Sequence, residues 1–378
     1  MRVLVTGGGT GGHVNPALAI ADIIKTNIPG SVIEYVGTSR GIENKLVPKA
    51  GYKLHHVEIR GLRRSLSLSN LKTAYYVLTS PAKASKLIKS FKPDIVIGTG
   101  GYVCWPVIKA AADKGIPTAL HESNAVPGVA VKMLASKVDR IYLNFEATGE
   151  LLPCKDKLLH VGNPLLSHFS DVTKAEARKK IGVPDECRCF LLSYGGSLGA
   201  EKVNETMLRI MKDFTSKHPE IFHLHATGSG EHAVCTEKFA SEGLDKFKNL
   251  KLVEYIYDMP YQMAAADVVV CRAGAMTVSE LAMAGKCAVF IPSPNVTNNH
   301  QYKNAKVLAD DGAAYVFEES SLSDGAFDEK LKLLLSPEGD EIRHDTEKRI
   351  KKFAVPDAGK LIYKDILKLV EEKSKSKK

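Results

Sequence analysis

The sequence predicts an α/β protein made of two nucleotide-fold domains, each built on a parallel sheet and facing the other. Three observations carry that reading. Gly7-Gly8-Gly9-Thr10-Gly11-Gly12-His13 follows the apolar run Val3-Leu4-Val5, and Tyr194-Gly195-Gly196-Ser197-Leu198-Gly199-Ala200 follows Phe190-Leu191-Leu192, so a strand, glycine loop and helix recur in the second half. Each such unit sets unpaired N–H groups and the positive end of a helix dipole at the carboxyl end of a strand, an arrangement suited to phosphate. Short apolar runs alternate with helical stretches in both halves, the pattern of a parallel sheet. At 378 residues and 44% hydrophobic, the chain also has apolar material for two cores. The ligand these loops imply is a phosphorylated small molecule held between the halves.

In order along the chain, strands are expected at residues 2–6, 31–36, 94–97, 118–121 and 140–143. The turn-forming Gly162-Asn163-Pro164 is the natural crossing point, giving an N-terminal domain over 1–162 and a C-terminal domain over 163–353. In the second half strands are expected at 189–193, 222–226, 250–253, 268–271 and 288–291. The helix after the Gly195 loop carries Val203, Met207, Ile210 and Met211 at i, i+4, i+7, i+8, a packing stripe. A last amphipathic helix, about 354–370, is expected to pack back on the first domain, and 371–378 reads as a disordered basic tail.

The formal charge is +9, from 52 Lys and Arg against 43 Asp and Glu, which favours an anionic partner. No interleaved basic and aromatic motif supports nucleic acid. Of the seven cysteines, only Cys187 and Cys189 lie close, at a spacing that suits neither zinc nor a redox pair; reduced structural thiols in a cytoplasmic protein are the simplest reading. No apolar stretch reaches the roughly 20 residues of a membrane span, so the chain reads as soluble or peripheral. One stretch has two readings: Leu71, Tyr75, Tyr76, Val77, Leu78, Leu87, Ile88 and Phe91 with Lys72, Lys83, Lys86 and Lys89 form either a patch for an anionic bilayer or a core helix broken at Pro81.

Gly7, Gly9 and Gly12 fit the dinucleotide pattern G-x-G-x-x-G, with Glu34 as the acid that follows. Glu34 falls in the middle of its strand rather than at the carboxyl end, which counts against a nicotinamide cofactor. A further loop, Gly98-Thr99-Gly100-Gly101-Tyr102, also follows a strand. So does Arg272-Ala273-Gly274-Ala275-Met276-Thr277-Val278-Ser279-Glu280. There Glu280 either accepts hydrogen bonds from ribose or closes a capping box with Thr277. His13, at the mouth of the first loop, has the chemistry of a general base or of a positioning residue, and Glu122 is the other titratable group nearby.

Taken in order, Gly8-Gly9-Thr10-Gly11-Gly12-His13, Gly100-Gly101-Tyr102, His121-Glu122-Ser123-Asn124, Gly162-Asn163-Pro164, Gly195-Gly196-Ser197-Leu198-Gly199-Ala200, the Arg272–Glu280 segment and His300-Gln301 closely resemble glycosyltransferase family 28 across nearly the whole chain. The resemblance implies a GT-B fold, two Rossmann-like domains facing across a cleft. It implies an inverting hexosyltransferase that moves N-acetylglucosamine from UDP-GlcNAc to the 4-hydroxyl of the muramoyl sugar of lipid I, an undecaprenyl-diphospho-muramoyl peptide. The product would be lipid II for peptidoglycan, with no cofactor and no metal, at the cytoplasmic face of the cell membrane. Carried onto this chain, the donor contacts would be Thr10, Gly11, Gly12, Asn124, Ser197, the Ile256 backbone, Ala275, Met276, Thr277, Val278, Ser279, Glu280 and Gln301. Asn124 and Gln301 are amides that both donate and accept, which suits sugar hydroxyls. Helix N-termini at Gly199-Ala200 and Ala275-Met276 would offset the diphosphate charge, and no Asp-x-Asp is present to hold a metal. Two departures stand out: Leu165 and Leu166 where an arginine is common after Gly-Asn-Pro, and Cys104 and Trp105 after the second loop. The alternatives are another nucleotide-sugar enzyme of this fold, such as a glycolipid synthase or UDP-GlcNAc epimerase, and an NAD-dependent oxidoreductase.

Overall fold

The structure is a computed structural model that describes residues 1–60, 69–165 and 172–375. Leu166, the tail beyond 375 and the side chains of Leu71 and Lys72 lie outside the described residues. The chain divides into two compact units, Met1–Leu166 with Val355–Lys378, and Ser167–Ala354.

The first unit carries the strands β1 (Arg2–Thr6), β2 (Val32–Gly37), β3 (Lys53–His56), β4 (Ile95–Gly98), β5 (Thr118–Glu122), β6 (Arg140–Leu143) and β7 (Leu158–His160), all parallel in the order β3-β2-β1-β4-β5-β6-β7. The second carries β8 (Cys189–Tyr194), β9 (Ile221–Ala226), β10 (Leu250–Val253), β11 (Val268–Cys271), β12 (Cys287–Phe290) and β13 (Tyr315–Val316), parallel in the order β10-β9-β8-β11-β12-β13. The central strands are mostly apolar because helices cover both sheet faces. Val3 and Val5 enter one core cluster while Leu4 enters the other. Strand order reverses between β1 and β4 and again between β8 and β11, and such a switch point leaves a crevice at the strands' carboxyl ends. The four glycine loops singled out in the sequence leave those four strands.

β3, β7 and β13 go beyond the expected strands. β3 is an edge strand with Leu54 as its one apolar residue, and its Lys53 and His55 side chains donate to Glu34 on β2, at 3.2 and 2.5 Å. Glu34 is thereby engaged by its neighbouring strand, which removes the acid that a dinucleotide reading needs. In the second unit Val203, Met207, Ile210 and Met211 are all buried under the helix Glu201–Asp213, as their spacing predicts.

Two helices depart from expectation. Ser69–Phe91 continues through Pro81 without a break. Its two ends differ: Tyr75 and Leu78 are 60% and 80% exposed, whereas Ile88 and Phe91 are buried in the core with Leu87 packed against them. The apolar patch is therefore confined to the first half of the helix. Among the described residues no helix is long and apolar enough to cross a membrane. The last helix, Ala358–Lys375, runs past 370, so residues 371–375 are ordered helix rather than disordered tail. Lys375 to Glu371 (2.6 Å), Arg140 to Glu372 (3.0 Å) and Lys373 to Asp139 (2.7 Å) hold its final turn.

Ile362, Ile366 and Leu369 of this helix complete a core that includes Val14, Leu18, Ile24 and Tyr142. Asp365 accepts the Tyr142 hydroxyl at 2.9 Å, which satisfies a buried polar group. Ile366 is fully buried, so Ile366→Ala should cost about 2–5 kcal/mol through lost transfer energy and a residual cavity. Calorimetry should show a lowered unfolding transition; an unchanged one would mean that the helix does not close this core.

Candidate active site

In the first unit the loop after β1 is shaped by backbone. Gly9 has φ +89°, a conformation that favours glycine. Tyr35 donates its hydroxyl hydrogen to the Gly7 carbonyl at 2.9 Å, and Gly9 N–H donates to Glu43 at 3.0 Å. The helix Gly11–Asn27 then begins with Thr10 as its N-cap and no side-chain cap, so its first amides remain for a ligand. At Gly11 and Gly12 a Cβ would come no closer than 3.8 and 3.7 Å to any other group. Neither has positive φ. The fold does not demand glycine there, whereas a closely approaching ligand would.

His13 is held from two sides. Its Nδ1 lies 3.1 Å from the Gly8 carbonyl oxygen, which can only accept, and 3.4 Å from the Thr10 hydroxyl, so Nδ1 is assigned as the donor to Gly8 and, in the neutral ring, Nε2 presents the lone pair. From the loop after β4, the Thr99 hydroxyl donates to the His13 carbonyl at 2.6 Å, and the imidazole covers Gly100, where a Cβ would fall 2.5 Å from Cδ2. Cys104 packs beneath this loop, its Sγ 3.1 Å from the Thr6 carbonyl oxygen and 2.9 Å from that of Gly100; burial pushes its thiol up to about 12. Trp105 packs against the core. The departures at 104 and 105 thus lie under the loop, and Tyr102 is the exposed member.

Glu122, at the end of β5, accepts from Asn124 N–H (2.9 Å), Asn124 Nδ2 (3.1 Å) and Gly128 N–H (2.8 Å). Burial raises its pKa, against these bonds and the nearby His13, which lower it. Both oxygens are committed to shaping the turn that carries Asn124, which makes Glu122 a weaker base candidate than His13. His121 bridges β5 to the Gly162 carbonyl at 3.0 Å, and burial lowers its pKa to about 4, keeping it neutral. Leu165 is half-buried.

In the second unit the loop after β8 has Gly196 at φ +100° and Gly199 at φ +92°. Ser229 and Gly230 N–H groups donate to the Ser197 and Leu198 carbonyls, both at 3.1 Å. Ser197 is exposed, and the helix Glu201–Asp213 starts at Ala200 without a side-chain cap. The helix after β11, Ala275–Ala284, has Gly274 as its N-cap and again no side-chain cap. That corrects the capping-box reading: Thr277 lies inside the first turn, and Glu280 is mid-helix and closes no box. The Glu280 carboxyl has no hydrogen-bond or ion-pair partner among the described residues, and burial raises its pKa to about 7. Beside it the Tyr194 hydroxyl is buried without a hydrogen-bond partner of good geometry. Ala275, Met276, Thr277, Val278 and Ser279 form the turn between this carboxyl and the helix N-terminus.

Gln301, on the helix His300–Asp310, accepts Ser293 N–H on Oε1 at 2.9 Å, which leaves the two Nε2 hydrogens for a ligand. Ile256 buries its side chain between the exposed Tyr255 and Tyr257, whose rings meet at 5.0 Å. Arg272 is already used: it donates to the Ile291 carbonyl at 3.0 Å and pairs with Glu319. Sequence reasoning missed Tyr194 and Glu43. The only signal for Glu43 was a second glycine cluster, Gly37 and Gly41, beside it in the chain.

Residues 3–143 match the glycosyltransferase family 28 N-terminal domain and residues 190–362 its C-terminal domain. A protein of Thermoanaerobacter sp. (strain X514), named UDP-N-acetylglucosamine--N-acetylmuramyl-(pentapeptide) pyrophosphoryl-undecaprenol N-acetylglucosamine transferase, is 41% identical over 96% of this chain and 98% of its own length. A protein of the same name from Acetivibrio thermocellus is 40% identical, over 97% and 99%. The crystal structure of Acinetobacter baumannii MurG superposes with a TM-score of 0.77 at 28% identity, covering 97% of this chain and 99% of that one. A UDP-GlcNAc 2-epimerase from Neisseria meningitidis, at TM-score 0.64 and 15% identity, shares the fold alone. With both domains matched and close relatives along its full length, this enzyme of two parallel-sheet GT-B units belongs to glycosyltransferase family 28.

Proposed function

We propose that the enzyme transfers N-acetylglucosamine from UDP-N-acetylglucosamine to the 4-hydroxyl of the muramyl sugar of a pyrophosphoryl-undecaprenol acceptor, converting lipid I to lipid II with inversion. The names of its full-length relatives support the reaction, and the Glu280 carboxyl carries the donor half of the reading. It is an acceptor without donors, set one helical turn behind an uncapped helix N-terminus at a switch point. Ribose hydroxyls would supply the missing hydrogens while amides at Ala275 and Ala200 meet the diphosphate. Ser197, the Ile256 backbone and Gln301 would complete donor contacts from this unit; Thr10, Gly11, Gly12 and Asn124 would contribute from the other.

Chemically, the acceptor oxygen attacks the anomeric carbon, the bond from that carbon to the diphosphate oxygen breaks, and UDP leaves with the electron pair. The hydroxyl proton passes to His13 Nε2, whose lone pair the Gly8 carbonyl secures by holding the proton on Nδ1. Peripheral membrane attachment is part of the proposal. Tyr75 and Leu78 offer an exposed apolar edge near the exposed Lys83, Lys86 and Lys89 of one helix, suited to an anionic leaflet that bears the acceptor.

Glu280 provides the test of donor binding. Ribose hydroxyls donate best to the ionised carboxyl, so UDP-GlcNAc affinity should rise as pH climbs through about 7. Glu280→Gln should weaken binding about ten- to a hundredfold at pH 8 and flatten that dependence. Stability should move the opposite way. A carboxyl whose folded pKa lies above the unfolded 4.5 destabilises the fold progressively from there up to about pH 7. The variant should therefore melt higher than wild type at pH 8 and like it at pH 4, by calorimetry. Loss of stability with normal nucleotide binding would defeat the assignment.

His13→Ala should lower kcat about 10²–10⁴-fold, the usual worth of a general base, with UDP binding retained. His13→Gln separates the two roles, because an amide keeps a hydrogen bond but takes no proton. If steady-state kinetics show His13→Gln with most of kcat and the wild-type acid limb of the pH profile, His13 only positions.

A further inference from the structure

The Glu43 side chain is fully buried, and its hydrogen bonds leave its own helix for two separate turns. Oε2 accepts Gly9 N–H at 3.0 Å, while Oε1 accepts both Thr38 N–H and the Thr38 hydroxyl hydrogen at 2.9 Å. Both oxygens act only as acceptors, the role of a carboxylate. No cation pairs with it among the described residues. Burying such a group is costly unless its lone pairs are met, and here three donors from the loop after β1 and the turn after β2 meet them.

The surrounding chain is cut to admit this one side chain. A Cβ at Gly8 would lie 2.6 Å from Glu43 Oε1, one at Gly37 2.6 Å from its Cγ, and one at Gly41 within the carboxylate itself, 1.9 Å from Oε2. Asn44 braces the same turn, its Nδ2 donating to the Thr38 and Gly41 carbonyls at 2.8 and 3.0 Å. An apolar side chain would avoid desolvating a carboxylate but would leave Gly9 N–H, Thr38 N–H and the Thr38 hydroxyl without this acceptor. What a carboxylate adds is orientation of the Gly8-Gly9 peptide, which it grips through Gly9 N–H. That same peptide ends in the Gly8 carbonyl oxygen that accepts from His13 Nδ1 at 3.1 Å.

We propose that Glu43 is a positioning residue of the transfer reaction, fixing the Gly8-Gly9 peptide so that its carbonyl holds His13 in the tautomer with Nε2 unprotonated. This rests on the reading of His13 as the base. A purely structural strut would cost stability without moving the tautomer or coupling to His13.

The test uses the full-length enzyme with ¹⁵N-labelled histidine, UDP-GlcNAc and a lipid I analogue. In wild type the His13 ring nitrogens should show Nδ1 protonated and Nε2 bare. Glu43→Gln, which turns one acceptor into a donor facing a donor, should mix the tautomers and lower kcat about tenfold or more while UDP-GlcNAc KM moves less than about threefold. In a His13→Ala background Glu43→Gln should cost less than about threefold, because the group it positions is gone. Thr38→Val, which removes one of the three bonds and spares the buried carboxylate, should act in the same direction by a few-fold and serves if Glu43→Gln does not fold. A wild-type tautomer with wild-type kcat overturns the proposal. So does an equal loss in both backgrounds, which leaves the base reading intact. Wild-type kcat in His13→Ala alone would instead overturn the base reading, and this inference with it.

Discussion

Gly101 lies so close to Gly8 that a Cβ on it would fall 2.4 Å from the Gly8 carbonyl oxygen, and in the second unit a Cβ on Gly228 would fall 2.1 Å from the Gly199 amide nitrogen. Backbone packed on backbone against the loops after β1 and β8 is the constraint on which the rest of each unit depends. It requires glycine at positions of positive φ, φ +81° at Gly101 and φ +77° at Gly228. It also keeps side chains away from the carboxyl ends of β1, β4 and β8, and the helices that follow β1, β8 and β11 start without side-chain caps, open to phosphate. The few side chains that reach these places, His13 in one unit and Glu280 in the other, then work in surroundings set by main chain rather than by competing polar groups.

Beneath the second unit's loop the same economy appears as a buried chain of neutral hydrogen bonds. Thr215 meets His223 Nδ1 at 3.2 Å, His223 Nε2 meets Ser193 Oγ at 3.0 Å, and Ser193 meets His225 Nδ1 at 2.8 Å. His225 Nε2 then meets Asn204 Oδ1 at 3.0 Å, and Asn204 Nδ2 donates to the Thr227 carbonyl at 3.0 Å. Burial lowers both histidines, His225 to about 4. They stay uncharged at neutral pH and tie the helix Glu201–Asp213 to the turn under Gly199 while adding no charge to the field of its N-terminus. Glu280 is the contrast, a half-buried carboxyl that no group of its own unit pairs with among the described residues.

Much of the fold was legible because central parallel strands are continuous apolar runs and glycine loops follow them directly. β3 escaped because Lys53-Leu54-His55-His56 is an edge strand without that run, and β13 because two residues carry no pattern. The capping box at Thr277 and Glu280 was a correct local pattern applied at the wrong place, since β11 and Gly274 start the helix three residues earlier. The last helix extends through Glu371–Lys375 because ion pairs to residues of β6 and its approach offset a composition that alone reads as disordered. Glu43 was invisible for a different reason: its partner Gly9 lies 34 residues away, and spacing within a motif cannot reveal such a bond. Tyr194 was quoted as part of a loop motif, yet only the folded unit shows its hydroxyl buried beside Glu280.

Acceptor-dependent sugar transfer driven by backbone dipoles and a protein base is measured by incubating the purified chain with labelled UDP-GlcNAc and a lipid I analogue, with and without a chelator, and separating the products. Label should enter the lipid-linked disaccharide only when acceptor is present, at a rate that survives chelation. Consumption of UDP-GlcNAc without acceptor, or activity lost in chelator and restored only by magnesium or manganese, would contradict it.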